Sequence, residues 1–277
     1  MRRSRSLPLV ALAAYAFLHL PVLVLIVFSF NESRFTVWTG LSWKWYRELA
    51  RNARMLDALE NSLLVAVAAT VISTVIGTLA AYAMDRLRTR GERALDAALQ
   101  LSIVTPEIVT GISLLAFFQL VFRFADFGLG LDTILIAHVA FSIAFVVIVV
   151  RARLAALDPA LEEAAMDLGA GRFTTFVHVT LPLLQPGIVA AALLAFILSF
   201  DDYVITSLVA GVGSETLPMV IYSMARRGVS PVVNALSAIL IVALGGLILI
   251  ADRLQAGTGE GGRGDVAGAA GARGAVA

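Results

Sequence analysis

The sequence predicts an all-α membrane protein with six transmembrane helices. Of its 277 residues, 59% are hydrophobic and only 15% are charged, whereas soluble domains carry fewer apolar and more charged residues. The mean hydropathy is +0.89. A bilayer core about 30 Å thick requires roughly 20 apolar residues in a helix. Six stretches come close to that length, at about 8–30, 58–84, 97–122, 132–150, 186–209 and 232–251. Residues 8–252 are therefore predicted to form one six-span domain.

The two ends of the chain are predicted to differ from this domain. The first apolar stretch follows MRRSRS, but it is longer than the apolar core of a secretory signal and lacks a small-residue cleavage site. It is therefore interpreted as a retained span that follows a short N-terminal segment, residues 1–7. Residues 253–277 are rich in glycine and alanine and poor in large apolar side chains. Such a segment cannot bury a core, so a disordered tail is predicted.

The orientation follows from the basic residues of the loops. If the N-terminus lies inside, 13 of the 21 arginine and lysine residues fall in inner segments. The densest cluster, between Arg86 and Arg93, is then also inside, as the positive-inside rule requires. Both termini are therefore predicted to be cytoplasmic. Five of the remaining eight basic residues lie in one outer loop, 31–57.

That outer loop combines aromatic and apolar residues. Trp43, Trp45 and Tyr46 precede Leu49 and Leu56 at a roughly helical spacing. This pattern predicts a helix that lies at the membrane surface, and an interfacial anchor is a simpler interpretation than a substrate contact.

Several classes of function are excluded. The formal net charge of +1 gives no indication of a nucleic-acid partner, and the absence of cysteine excludes disulfides and thiol chemistry. The three histidines, His19, His138 and His178, are far apart and lie in or beside apolar runs, so they are predicted to be ordinary packed residues and no metal site is expected. Lys44 is the only lysine, and it does not occur in a phosphate-binding G-x-x-x-x-G-K-[ST] loop. The chain cannot be its own P-loop ATPase.

A polar segment, 152–185, separates the fourth and fifth predicted spans. Asp158 and Pro159 are typical of a helix start, and acids in the first turn favour the positive end of the helix dipole. Gly169 is predicted to end this helix in a left-handed conformation. The run from Arg172 to His178 then predicts a second, very short helix, after which two prolines, Pro182 and Pro186, are expected to break the chain.

The second helix carries two phenylalanines, Phe173 and Phe176, at the i, i+3 spacing. Exposed aromatic residues beside polar ones are typical of a docking surface. They could equally pack back onto the helical bundle, and physical arguments alone leave both interpretations open.

A family resemblance favours docking. The polar segment contains Glu163-Ala164-Ala165, then Gly169 after three residues, Val179 after nine more and Leu181-Pro182 after one more. This spacing resembles the E-A-A motif of ABC importer permeases, E-A-A-x3-G-x9-I-x-L-P, with valine in place of isoleucine. The resemblance implies the type I ABC importer permease fold, in which this loop inserts a coupling helix into a groove on a separate ATP-binding subunit. The coupling residues that it implies are Glu163, Ala164, Ala165, Gly169, Arg172, Phe173, Phe176, Leu181 and Pro182. It also implies that the partner subunit binds ATP and Mg²⁺, so the chain needs no cofactor of its own.

Three acids fall within predicted spans. Asp201 and Asp202 interrupt the fifth span, and Glu107 lies near the middle of the third, beside Pro106. A carboxylate at bilayer depth costs about 2.5–3.5 kcal/mol on insertion scales, so these side chains should face the bundle interior or a wet cavity. They could cap broken helices or pair with arginines. In a cavity they would instead concentrate cations, which predicts a cationic substrate.

A second resemblance concerns the substrate. The stretches TPEIVTGISLL, SFDDYVITSLVAG and TLPMVIYSMARRGVSPVVNALS are similar to the spermidine/putrescine branch of ABC permeases, and most to the second of its two permease subunits, over about residues 8–252. This implies a non-enzymatic subunit that moves polyamines across the bacterial inner membrane by alternating access. The implied partners are two copies of an ATP-binding subunit, a homologous second permease and a periplasmic binding protein. The alternatives are a permease for iron, phosphonate-type or sulfate-like solutes, and an ATP-independent secondary cation transporter.

Overall fold

The computed structural model describes residues 6–35, 37–86, 91–122, 128–226, 228, 230–246, 249–250 and 253. Within these residues the regular structure is helical, and the one β-bridge joins Asn31 to Leu41. The helices are α1 (Ser6–Phe28), α2 (Lys44–Leu49), α3 (Ala53–Arg86), α4 (Glu92–Val104), α5 (Glu107–Phe122), α6 (Leu131–Leu154), α7 (Ala160–Asp167), α8 (Arg172–Thr175), α9 (Leu181–Asp201), α10 (Val204–Val209), α11 (Leu217–Arg226) and α12 (Pro231–Gly246). The prediction for the tail falls on residues 254–277, which lie outside the described residues, as do residues 1–5 of the N-terminal segment.

The long apolar helices confirm the all-α membrane class. Among the described residues, four helical runs are long and apolar enough to cross a bilayer: α1, α3, α6 and the run Arg172–Asp201, which contains α8 and α9. The α4–α5 pair qualifies together as one bent span, and α12 is apolar but shorter. The number of six spans therefore stays a prediction.

The predicted third span, 97–122, is broken. Between α4 and α5 the chain bends by 111°, and Thr105 is extended there with φ −65° and ψ 127°. Pro106 accounts for the bend, because proline disfavours a helical conformation in the residue before it and lacks an N–H to donate. Glu107 therefore lies in the first turn of α5, at the bend of this pair and not within a continuous helix.

The prolines before the fifth span, by contrast, do not break the chain. One helical run continues from Arg172 to Asp201, with a π-helical turn at Phe176–Thr180. Pro182 lies in the first turn of α9, directly after that turn. A π turn shifts the hydrogen-bonding partners of the backbone, so it can accommodate the missing N–H of a nearby proline. The predicted short helix, 172–178, is thus the beginning of a long one.

The chain divides into two compact units, which are described separately. The first comprises Met1–Ala53 and Ile221–Ala277, and its loop between α1 and α2 folds around the buried side chain of Asn31. The Asn31 amide donates to the Val37 carbonyl at 2.9 Å and accepts from the Thr39 N–H at 3.0 Å. The buried indole of Trp45 donates to the Asn31 carbonyl at 2.6 Å. The predicted surface helix is therefore short, six residues, and it is tied to the folded loop.

The second unit, Arg54–Val220, holds two apolar clusters that share α6. One cluster joins α3, α6 and α9, mostly through alanine and valine side chains, and small residues allow close packing of membrane helices. Its buried members are Ala81, Met84, Val146, Val147, Val150, Leu154, Leu184, Ala191 and Ala195. The other cluster joins α3, α5, α6 and α10 through Val65, Phe118, Ile134, Ala137, Ile205 and Val209. An ion pair between Asp96 and Arg151 also fastens α4 to α6.

Close packing of α3 on α6 predicts a large effect for a small substitution. A Cβ atom at Gly77 would lie 2.6 Å from Cγ1 and 2.7 Å from Cβ of the fully buried Val146. Gly77→Ala should therefore destabilise the subunit by about 1–3 kcal/mol through overpacking. The apparent melting temperature of the purified complex in detergent measures this. Gly245→Ala is the matched control, because a Cβ at that helical position has nothing within 4 Å, and equal melting temperatures for the two variants would contradict the prediction.

Candidate functional site

The E-A-A segment, residues 158–182, begins with α7 and a glycine turn. The helix starts where Asp158 Oδ1 accepts the Ala160 N–H at 3.0 Å. It ends at Gly169, whose φ is +90°, and the Ala170 N–H donates back to the Ala165 carbonyl at 3.1 Å. This backward bond over a left-handed glycine is the Schellman arrangement. The predicted helix and its glycine stop are confirmed.

Two side chains fasten the E-A-A segment to the C-terminal end of α3. Glu162 Oε2 lies 3.0 Å from Arg86 Nε, and Oε1 accepts the Thr180 hydroxyl at 2.8 Å. The ring of Phe176 packs on Tyr82 with centroids 4.5 Å apart. These contacts hold α7 and the π turn against the same helix.

The remaining residues of the predicted coupling site are mostly uncovered. Glu163, Ala164, Gly169, Arg172, Phe173 and Pro182 are exposed, while Ala165, Phe176 and Leu181 are half-buried. Phe173 is 79% exposed and Leu168 is 90% exposed. The two phenylalanines, which the sequence treats alike, therefore differ: Phe176 packs on the bundle and Phe173 points away from it. Phe173 and Leu168 are the most exposed large apolar side chains of this uncovered surface.

The three acids predicted in the spans meet at one cavity of about 350 Å³. It lies between the α4–α5 bend and the break after α9. Its lining includes Glu107, Asp201 and Asp202, together with Phe141 and Phe145 of α6. The described lining residues include no arginine, lysine or histidine. The cavity therefore favours a cation over an anion.

Asp201 and Asp202 nevertheless have different surroundings. Asp202 is 8% exposed. Its Oδ2 accepts the Thr206 N–H at 2.7 Å and the Thr206 hydroxyl at 2.6 Å, and its Oδ1 accepts the Ile205 N–H at 3.3 Å. Asp202 thus caps free N–H groups in the first turn of α10 from the residue before its N-cap, Tyr203, so the alternative that an acid caps a broken helix holds for Asp202. Asp201, the last residue of α9, is exposed.

A further polar residue at this break is His138, which the sequence predicted only to be an ordinary packed residue. Its imidazole is 1% exposed. Nδ1 lies 2.6 Å from Ser199 Oγ, and Nε2 lies 2.9 Å from Thr206 Oγ1 and 3.3 Å from Asp202 Oδ2. One signal was available, because a titratable side chain within an apolar membrane helix is costly unless it is paired. The hydrogen-bond partners of His138 are more than 60 residues away along the chain, so the sequence alone could not identify them.

The comparisons with known proteins identify the family. Residues 73–257 match the family described as "Binding-protein-dependent transport system inner membrane component", which is more than half of the chain. The chain belongs to this family. It is a permease subunit and a multi-pass protein of the inner membrane.

This permease is also similar to curated relatives over most of its length. It is 41% identical over 251 residues to the putrescine transport system permease protein PotI of Escherichia coli, and this alignment covers 89% of each chain. It is 43% identical over 245 residues to the spermidine/putrescine transport system permease protein PotC of the same organism, covering 88% of this chain and 91% of the relative. PotC of Haemophilus influenzae is 40% identical over 229 residues, covering 82% of this chain and 88% of the relative. The resemblance to spermidine/putrescine permeases is confirmed.

Solved structures confirm the fold. A bacterial ABC transporter involved in the import of the acidic polysaccharide alginate matches with a TM-score of 0.64 and 18% identity, over 92% of this permease and 98% of that chain. The MetNI methionine ABC transporter, in inward-facing conformations, matches with a TM-score of 0.59 and 20% identity, over 78% and 99% of the two chains. The permease has the type I ABC importer fold.

Proposed function

We propose that this permease forms half of the translocation pathway of an ATP-driven ABC importer for polyamines, cations of the spermidine/putrescine type. The observation that carries the proposal is the cavity with three carboxylates and no basic side chain among its described lining residues. Alkylammonium groups, like that of lysine, remain protonated at neutral pH. Phe141 and Phe145 could add cation–π contacts in the same cavity. The names of the relatives PotI and PotC support this class of substrate.

The proposed mechanism is alternating access driven from the E-A-A segment. Phe173 and Leu168 would contact the ATP-binding subunit, since both are exposed. The helical run Arg172–Asp201 has 30 residues, about 45 Å at 1.5 Å per residue. It begins one residue before Phe173 and ends at Asp201 in the cavity. A displacement at one end can therefore reach the acidic cavity through a single helix.

The remaining parts of the importer would be separate chains. Two copies of an ATP-binding subunit would bind ATP and Mg²⁺ and hydrolyse the nucleotide, while this chain performs no bond chemistry and needs no cofactor. A homologous second permease would supply the other half of the pathway, and a periplasmic binding protein would deliver the polyamine. Both termini would lie in the cytoplasm, lipid would surround the bundle, and no nucleic acid would take part.

Reconstitution tests this proposal. The tagged permease should copurify with an ATP-binding subunit and a second permease. In proteoliposomes, ATPase activity should rise with binding protein loaded with putrescine or spermidine, and uptake should require ATP and resist a protonophore. A chain that transports cations alone and loses uptake with the protonophore would instead be a secondary transporter. Stimulation by sulfate, a phosphonate or iron, and not by a polyamine, would contradict the substrate.

A further inference from the structure

The imidazole of His138 bridges the two helices that flank the break in the fifth span. Its Nδ1 lies 2.6 Å from Ser199 Oγ, in the last turn of α9. Its Nε2 lies 2.9 Å from Thr206 Oγ1, in the first turn of α10. One ring nitrogen therefore serves each helix, and both contacts come from α6. In the sequence, Asp201 lies between these two partners of the imidazole, Ser199 and Thr206.

Hydrogen-bond donors and acceptors match throughout this cluster. The Thr206 hydroxyl donates to Asp202 Oδ2 at 2.6 Å, so its oxygen can accept the Nε2–H of His138. Nδ1 can then accept the Ser199 hydroxyl, and the imidazole protonated at Nε2 alone satisfies every group. Because exposure does not exceed 8% for any of the four side chains, removing the imidazole would leave buried polar atoms unpaired. Unpaired buried groups are costly, so the break would rearrange.

We propose that His138 is a positioning residue for the cation pathway. By holding Ser199 and Thr206 at a set separation, it fixes the break so that the exposed carboxylate of Asp201 faces the cavity. The proposal rests on the proposed function, because that function gives Asp201 its role in attracting the cation. His138 itself does not line the described cavity, so its effect on the substrate is exerted through Asp201.

A charge-sensitive label in the cavity can test this. The chain has no cysteine, so Ser102→Cys introduces one thiol at an exposed position of the cavity lining. The assembled, detergent-solubilised transporter is labelled in separate reactions with a positively charged and a negatively charged methanethiosulfonate reagent, and the two reagents are similar in size. The rate of modification by the cationic reagent divided by the rate for the anionic reagent reports the electrostatic potential at the thiol, and a more negative potential raises this ratio. A general loosening of the fold would change both rates together and leave the ratio unchanged.

Removing the charge and removing the positioning group should both lower this ratio. Asp201→Asn should lower it roughly tenfold, as expected for the loss of one unit charge within several ångströms at an intermediate effective dielectric constant. His138→Leu should lower it at least about threefold, because Asp201 is then no longer held at the cavity. His138→Gln should retain the wild-type ratio, since its amide can donate to Thr206 through the nitrogen and accept the Ser199 hydroxyl through the oxygen. Ser199→Ala, which removes only the partner of Nδ1, should lower the ratio and serves if His138→Leu fails to assemble.

Two controls match these variants. His19→Leu removes a histidine whose Nδ1 lies 2.8 Å from the Tyr15 carbonyl on α1, and it should leave the ratio at Ser102→Cys unchanged. A thiol at Val212→Cys, a fully exposed position outside the cavity lining, should show no change with any variant.

The outcomes separate this proposal from the function on which it rests. If Asp201→Asn lowers the ratio while His138→Leu and Ser199→Ala leave it at the wild-type value, the positioning role is wrong and the acidic pathway stands. If Asp201→Asn itself leaves the ratio unchanged, the cavity charge assigned in the proposed function is wrong, and the role of His138 falls with it.

Discussion

Phe173→Asp is expected to abolish ATP-driven uptake while the subunit remains in the membrane in wild-type amounts. The ring is 79% exposed, and surface substitutions usually change stability by less than about 0.5 kcal/mol. An aromatic anchor buried in a partner's pocket contributes at least about 2 kcal/mol, and a charge there adds a desolvation cost. Uptake in proteoliposomes and recovery of the ATP-binding subunit with the tagged permease measure the two effects.

The chain offers a matched control for this prediction. Phe35 is also 79% exposed and lies outside the E-A-A segment, so Phe35→Asp should leave recovery of the ATP-binding subunit unchanged. Gly169→Pro provides a second, independent variant, because the φ of +90° at this position is inaccessible to proline, which is fixed near −65°. It should abolish uptake by displacing α7 from α8. Normal ATP-dependent uptake in both Phe173→Asp and Gly169→Pro would show that the coupling assignment is wrong.

Asp201→Asn is expected to reduce polyamine uptake by at least about tenfold without reducing the amount of folded subunit. Its carboxylate is exposed in the cavity, and loss of one charge that faces a cation is worth more than about 1.4 kcal/mol at an intermediate effective dielectric constant. Initial uptake rates over a range of polyamine concentrations, together with the subunit's abundance in the membrane, measure the effect.

The neighbouring aspartate should behave differently. Asp202→Asn alters a buried carboxylate that caps the start of α10 and accepts three hydrogen bonds, so it should lower the amount of folded subunit as well as uptake. Asp132→Asn is the control, since this exposed acid lies at the start of α6 and outside the cavity lining. Wild-type uptake in the Asp201→Asn, Asp202→Asn double variant would remove both residues from the pathway.

The local features of the E-A-A segment could be predicted from its residues because each depends on neighbours in sequence. Asp158 caps the helix that begins two residues later, and Gly169 ends it because glycine adopts positive φ without strain. The prolines were harder to interpret. Pro106 breaks the third span, while Pro182 lies within a continuous helical run. The difference depends on whether the preceding backbone can change its hydrogen bonding, and Phe176–Thr180 does so through a π turn.

Composition and residue order were enough to establish the class of protein, its apolar helices and its family. Burial in lipid demands long apolar helices, and the E-A-A motif has a recognisable spacing. Tertiary structure decided which of several similar side chains performs which task. Tyr82 packs on Phe176, while Phe173 remains exposed. Asp202 contacts Thr206 and His138, while Asp201 is exposed in the cavity. These distinctions depend on contacts between helices that are distant in sequence, and spacing along a single helix carries no information about which neighbour will cover a given face.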